Sequence, residues 1–404
     1  MDRQPTIIIQ ASSRSWSGGP DLCLRPVQGK PAAFHTIQRA LDAFPESKLI
    51  LAAPEFDRGG TLSDIAAEFP TSQVHIYYGQ DTSPLLRILK ATENLSDNDY
   101  LVRIDGLHLC FDSQAALQML EQAISDSLDV VKFPDDFPVQ FTVDIYRTGA
   151  LRRLKSILND QEDQPFHVHP KFFMFSHPDR FSCAYIKKAP EYKKSFLLES
   201  RKLAKEIYNQ HRIDLMFDPL LIGDQRDFHY KIAAEHLTQD MKVLDIACGQ
   251  GHGTIYLSNK VSEIHGADID KKVIEEANSI SDRANTFFHV EDIINTNFED
   301  NSFDAVVSME TIEHVDAMSC LKELHRIIRP GGLLILSTPQ NRFGHTPIIW
   351  CHQREYSLNE IKEICGSFFN LNKVIGIKAG KITIENDPIG MNTVIIAEKH
   401  DIGS

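Results

Sequence analysis

The sequence predicts an α/β protein made of two doubly wound domains, and three observations carry that expectation. Its 404 residues exceed what one ordinary core holds. In each half, short apolar runs alternate with stretches of helical periodicity, the mark of parallel strands covered by helices. Within Val243–Thr254 a buried apolar run breaks into Gly249, Gly251 and Gly253 before a helical pattern, a strand–turn–helix unit that lets a backbone approach a ligand. The expected division is a first domain at residues 1–190, a helical connector at 191–230 and a second domain at 231–404.

Thr6–Gln10 is an apolar strand that opens into a Gly- and Ser-rich loop at residues 11–20, a composition suited to cradling phosphate with backbone N–H groups. A helix over Phe34–Ala43, a strand over Lys48–Ala53, a helix over Leu62–Glu68 and a strand over Val74–Tyr77 follow. Leu101–Gly106 is a further buried strand ending in Asp105 and Gly106. Ligands of open α/β sheets lie beyond the carboxyl ends of the strands, so this end and the loop after Gln10 should face one cleft.

Ile9-Gln10-Ala11, Gly29-Lys30-Pro31 with His35 and Arg39, Val102-Arg103-Ile104 with Gly106 and Asp112, and His167-Val168 with Pro170 and His177–Phe181 fall in one order over residues 5–185. In that order the half resembles the sugar cytidylyltransferases. The resemblance implies a nucleotidyltransferase-like fold, but two departures speak against nucleotidyl transfer. Asp21 stands where the family has a phosphate-neutralising lysine, and Leu107 where it has a metal-binding acid. The second metal carboxylate aligns near Thr142 or Asp144. The expectation is a domain that keeps the fold and has lost the reaction.

Lys187–Lys194 is a basic stretch with the composition of a solvated linker, and Phe196–Tyr208 has helical periodicity. The segment Phe217–Tyr230 leads into the second domain, where His229 and Tyr230 are placed either to line a site or to pack. After the glycine turn, the second strand Glu263–Ala267 ends at Asp268 and the third, Thr286–Val290, runs into Glu291 and Asp292. Phe303–Met309 is a fourth strand, Ala317–Ile328 a helix, Arg329–Gly332 a stop and Leu333–Thr338 a fifth strand.

The glycines run G-x-G-x-G rather than the G-x-G-x-x-G of dinucleotide sites, and Asp245 sits inside the strand before them. In this order of motifs the half resembles the class I S-adenosylmethionine-dependent methyltransferases, with Ala247 where the family often has a first glycine. The resemblance implies S-adenosyl-L-methionine as cofactor. Asp245 is then expected near the methionine ammonium, Gly249 and Gly251 beside the amino-acid end and ribose, Asp268 on the ribose hydroxyls and Asp292 on the adenine amino group. Ile269 and Ile293, the residue after each acid, are expected at the same cofactor.

Met309-Glu-Thr-Ile-Glu-His-Val315 closes the fourth strand. If residues 310–314 turn helically, Glu310, Glu313 and His314 share a face. This set resembles that of metal-dependent O-methyltransferases of ubiquinone biosynthesis and of the small-RNA terminal 2′-O-methyltransferases, the latter with a later histidine, here His352. The implied metal ligands are Glu310, Glu313, His314 and His352, for Mg²⁺ or Mn²⁺; Glu310 and His314 are the catalytic candidates. A metal-free His314 acting as base and a purely structural role remain open beside this. His345, Trp350 and His352 are expected along an acceptor pocket, whereas Glu323, His325 and Arg326 look like a solvated face.

A net charge of −14 disfavours nucleic acid and anionic membranes as partners, and no apolar run approaches the roughly 20 residues of a membrane span. Seven scattered cysteines without C-x-x-C argue against disulfides, and the start of the chain runs straight into a strand, so a cytoplasmic protein is expected. A homodimer is compatible with the sequence. The expected function is O-methylation of a sugar, nucleotide sugar or sugar-like hydroxyl in polysaccharide or glycoconjugate biosynthesis. A bifunctional cytidylyltransferase-methyltransferase and an RNA 2′-O-methyltransferase are the alternatives.

Overall fold

The computed structural model describes residues 4–14, 21–159, 163–217, 225–344, 346–349 and 351–400. The chain divides into two compact units, Met1–Ile213 and Asp214–Ser404. The division falls inside the helix Lys194–Phe217, within the stretch expected as a connector. Among the described residues no helix is long and apolar enough to cross a membrane.

In the first unit the strands of the main sheet are β1 (Thr6–Gln10), β2 (Leu49–Pro54), β3 (Val74–Gly79), β4 (Tyr100–Asp105), β5 (Val130–Lys132), β6 (Asp144–Arg147) and β7 (Cys183–Tyr185). They form one sheet in the order β3-β2-β1-β4-β6-β5-β7. The first four run parallel, while β6 is antiparallel to both β4 and β5, so the sheet is mixed. Alternation puts Ile8 and Leu101 on the face that packs against Leu85, Ile88, Leu151 and Met174 of the covering helices.

The second unit contains α1 (Gln225–Ala234), β8 (Lys242–Ile246), α2 (His252–Leu257), β9 (Glu263–Asp268), β10 (Thr286–Val290), β11 (Phe303–Met309), α3 (Ala317–Ile327), β12 (Ile328–Pro339), β13 (Phe369–Lys378), β14 (Ile382–Thr383) and β15 (Asn392–Lys399). The sheet order is β10-β9-β8-β11-β12-β15-β13-β14. Strands β10 through β12 are parallel, and β15 enters antiparallel between β12 and β13. Strand β8 lies in the middle because it is apolar on both faces: Val243 packs with Leu257 and Ile264, Leu244 and Ile246 with Leu321 and Leu336. From β8 the chain winds outward to β9 and β10, then returns to the other side for β11. The carboxyl ends of β8 and β11 therefore flank a switch point, where open sheets bind ligands.

Two expectations about elements need correction. Arg329–Gly332 does not stop the chain before a separate strand; β12 runs from Ile328, and Gly331, with φ +69°, absorbs a register shift against β11. Glu323 is not solvated. It is buried, accepts the N–H and hydroxyl of Thr296, and pairs with Arg326, whose hydrogen bonds hold its carboxyl down at about 2.

Candidate functional site

The turn after β8 is built from left-handed residues. Ala247 (φ +61°), Gly249 (φ +54°) and Gly251 (φ +78°) fold the backbone back, and Gly251 caps α2. Two later strand residues hold it: the Cys248 N–H donates to the Ala267 carbonyl at 2.9 Å and the Gly249 N–H to Asp268 Oδ2 at 2.9 Å. Asp268 Oδ1 accepts from the Asp270 N–H, so its carboxylate stands at the mouth of the turn. Ile269 beside it is 68% exposed, a large apolar side chain presented outward where β9 ends.

Asp292 accepts the Ile294 N–H at 3.1 Å, which shapes the loop after β10. Ile293 turns inward and packs with Leu244, Ile246 and Ala267. Its contact is with the core.

Asp245 is 0% exposed. The Tyr230 hydroxyl donates to its Oδ1 at 3.1 Å and Oδ2 at 3.3 Å, and the Thr254 hydroxyl donates to Oδ2 at 2.6 Å. Burial pushes its carboxyl up to about 7 against those two hydrogen bonds. The expected open acid at the ammonium is therefore a sealed one, because Tyr230 reaches it from α1.

Glu310 does not begin a helical turn. It adopts φ +52°, and the single turn that follows covers only Ile312–His314. That corrects the expected shared face. Asn392 donates to its Oε2 at 2.7 Å and the Ser337 hydroxyl to its Oε1 at 2.8 Å, while His229 Nδ1 lies 2.9 Å from Ser337 Oγ. The Glu310 side chain is 31% exposed, so a fixed carboxylate faces outward at the end of β11. A left-handed non-glycine residue costs about 1 to 2 kcal/mol, and here three neighbouring segments hold it.

Glu313, 1% exposed, takes the Thr338 hydroxyl on Oε2, and its Oε1 has no hydrogen-bond partner. Burial and the charge of Glu310 push its carboxyl up to about 8. That Oε1 lies 3.9 Å from His314 Nε2. The rings of His314 and His352 meet edge to face at 4.9 Å, and ligand atoms of His314, Cys351 and His352 lie within 4.8 Å of one another. His314 Nδ1 faces the Cys351 carbonyl at 3.3 Å and His352 Nδ1 the Glu355 carboxylate at 2.8 Å, the kind of outer contact that orients an imidazole toward an ion.

The groups that could hold a cation are therefore His314, Cys351 and His352, a membership that adds Cys351 to the expected set and includes neither Glu310 nor Glu313, whose Oε1 stands beside His314. Two imidazoles and a thiol suit Zn²⁺ better than the expected Mg²⁺ or Mn²⁺. Ser337, Asn392, Thr254 and Cys351 were not anticipated. His345 and Trp350 lie outside the described residues, as do residues 15–20 of the phosphate-loop expectation.

In the first unit Asp21 caps a short turn by accepting the Cys23 N–H at 2.8 Å. Burial and the charge of Asp105 push it up to about 6. Asp144 is buried between Lys171 at 2.8 Å and Arg103 at 3.5 Å, and the Thr142 hydroxyl bonds back to the Val139 carbonyl. Asp144, one of the two positions left open for a metal carboxylate, is thus already neutralised by two cations.

Residues 244–336 match the family described as "Methyltransferase domain". The chain is 28% identical over 207 residues to a chloroplastic tocopherol O-methyltransferase of Arabidopsis thaliana, covering 43% of this chain and 56% of that protein. It is 34% identical over 123 residues to a demethylmenaquinone methyltransferase of Staphylococcus haemolyticus (28% and 52%), and 30% identical over 141 residues to phosphoethanolamine N-methyltransferase 1 of Arabidopsis thaliana (31% and 27%). The chain thus spans about half the length, or less, of these relatives. The second unit carries a class I S-adenosylmethionine-dependent methyltransferase domain. The names of these relatives contain no sugar.

Proposed function

From the methyltransferase domain at residues 244–336 we propose that the chain is an S-adenosylmethionine-dependent O-methyltransferase acting on a sugar or sugar-like hydroxyl. One observation supports the cofactor most directly. The carboxylate of Asp268 and the left-handed Gly249 are bonded to each other at the carboxyl ends of adjacent strands, with exposed Ile269 beside them. This supports a reading in which Asp268 accepts from ribose hydroxyls, Ile269 lies against adenine and Asp292, at the neighbouring strand end, takes its amino group. The sugar assignment rests on the likeness of the first unit to sugar cytidylyltransferases and is analogy.

Methyl transfer is a one-step displacement at the sulfonium carbon, so the protein must align the acceptor oxygen and ease the loss of its proton. Glu310, fixed by Asn392 and Ser337, holds the hydroxyl, and the His314 imidazole takes the proton. The unpartnered Oε1 of Glu313 beside His314, Cys351 and His352 favours a further feature, a divalent ion in that cluster. An ion held there would supply charge stabilisation to an alkoxide, and His314 would then be its ligand and not the base.

The test is a screen with S-adenosylmethionine against nucleotide sugars, simple glycosides, quinols and aminoalcohol phosphates, read as S-adenosylhomocysteine formed. Turnover with a glycoside or nucleotide sugar supports the acceptor class. Turnover confined to quinols or aminoalcohol phosphates overturns it and leaves the methyltransferase.

A further inference from the structure

Asp245 is a buried acid with nothing positive beside it. The groups that face it are the hydroxyls of Tyr230 and Thr254, the buried thiol of Cys248 and, at longer range, the carboxylate of Asp268. Two neutral donors, a thiol and a like charge do not compensate a carboxylate removed from water. No lysine, arginine or histidine pairs with it among the described residues. It nevertheless stands at the end of the central strand, on the rim of the switch point, where a ligand is expected.

Two side chains cover the carboxylate: Thr254 holds Oδ2 at 2.6 Å from the helix behind it, and Tyr230 reaches both oxygens from α1. The Tyr230 ring rests on Gly253 so closely that a Cβ there would lie 2.0 Å from its Cζ. The helix that carries it is held by Ile232 and Ala233, which are packed in the core with Val243 and Leu257. The ring of Tyr230 also packs against this cluster, so any exchange at Asp245 moves the side chain about its own bonds and not the helix. While the hydroxyl bridges both oxygens, Asp245 has no exposed surface.

We infer that Tyr230 is a stand-in for the ammonium group of the cofactor: its hydroxyl occupies the face of Asp245 that the methionine nitrogen takes, and cofactor binding exchanges one for the other. The inference deepens the proposed cofactor assignment and rests on it. The exchange replaces a neutral donor by a cation, which Asp245 meets as the carboxylate; where it was protonated, its proton leaves to solvent. Gly253 is required on this reading because it makes room for the ring in the closed position. Ligands that lack the ammonium have no need to move Tyr230.

The experiment is calorimetry on the full chain with two probes, S-adenosylmethionine and 5′-methylthioadenosine, which carries the nucleoside and thioether but no ammonium. In Tyr230→Phe, which keeps the ring and removes the competing donor, affinity for S-adenosylmethionine should rise roughly three- to ten-fold. Affinity for 5′-methylthioadenosine should stay within about two-fold on the same reasoning. Tyr230→Leu, checked for an unchanged melting temperature, should act in the same direction. Repeating the wild-type titration below pH 7 in buffers of different ionisation enthalpy should show proton release with S-adenosylmethionine alone. Weaker binding of S-adenosylmethionine in Tyr230→Phe would make the hydroxyl a cofactor ligand and overturn the exchange, as would equal effects on both probes. Wild-type binding that the substitution leaves unchanged overturns the exchange alone, whereas failure of the wild-type chain to bind S-adenosylmethionine overturns the cofactor assignment and the exchange together.

Discussion

The side-chain amide of Asn392 donates to Oε2 of Glu310 at 2.7 Å, across 82 residues of sequence. This bond ties the end of β11 to the first residue of β15, two strands away in the sheet. With Ser337 on the other oxygen, it fixes both oxygens of a carboxylate whose backbone is left-handed. Such an arrangement stores strain at a site where the direction of one group matters.

Glu310→Gln should therefore cut methyl transfer by roughly 10²-fold or more, because the neutral amide keeps the size but loses the charge that holds the acceptor hydroxyl. Its melting temperature should stay near that of the wild type, and S-adenosylmethionine affinity should be retained. Thermal denaturation, calorimetry and turnover on one preparation check the three together. Normal turnover would remove Glu310 from the chemistry.

Asp268→Ala should weaken S-adenosylmethionine binding by about 1 to 3 kcal/mol, the range for losing a charged hydrogen-bonding group. The same substitution frees the Gly249 N–H, so the turn itself should loosen. Hydrogen exchange at Gly249 would report that loosening independently of affinity. Unchanged calorimetric affinity would sink the ribose assignment.

The carboxyl of Asp245, pushed up to about 7 by burial, makes stability depend on pH. A carboxyl that holds its proton more tightly when folded than when unfolded favours the folded state at low pH. That advantage is lost as pH rises from about 4 to about 7 and does not change above. Over that window this one group contributes a slope of up to about 1.4 kcal/mol per pH unit. Asp245→Asn, which cannot ionise, should remove this part of the slope in urea titrations at pH 5, 6, 7 and 8. Parallel curves for the two proteins would show that Asp245 does not titrate in that window.

The parts legible in the sequence were those that require a residue type. Left-handed positions at Gly249 and Gly251, and acids where strands β9 and β10 end, leave a mark because few residues serve there. Ser337 and Asn392 left none, since a serine and an asparagine at strand ends become partners of Glu310 only once β12 and β15 lie side by side. The turn after Met309 misled for a similar reason: helical spacing predicted a shared face, and the left-handed Glu310 breaks it. Glu323 looked solvated because Thr296, which buries and satisfies it, lies 27 residues earlier. In the first unit the apolar runs marked β1 to β4, but nothing local in Asp144–Arg147 announces that β6 runs antiparallel.

CTP with Mg²⁺ should yield no pyrophosphate above background with any sugar tested. Asp21 is an acid capping a turn near Asp105, where a triphosphate needs a cation, and Leu107 offers no oxygen to a metal. Asp144 is already occupied by Lys171 and Arg103. Sustained pyrophosphate release would show that the first unit performs nucleotidyl transfer by another arrangement.

Chelation addresses the cluster of Glu313, His314, Cys351 and His352. Because Asp245, Asp268 and Asp292 lie outside that cluster, exhaustive EDTA treatment should stop methyl transfer while S-adenosylmethionine binding persists. Zn²⁺ should restore turnover better than Mg²⁺, since imidazole and thiolate ligands favour the softer ion. Cys351→Ser and His352→Ala should each lower metal content, whereas Glu310→Gln should leave it intact because Glu310 is turned toward Asn392 and Ser337. This last contrast separates a site at His314, Cys351 and His352 from the one expected along a helical turn. Full activity after chelation, in protein that carries no metal, would leave His314 as a simple base.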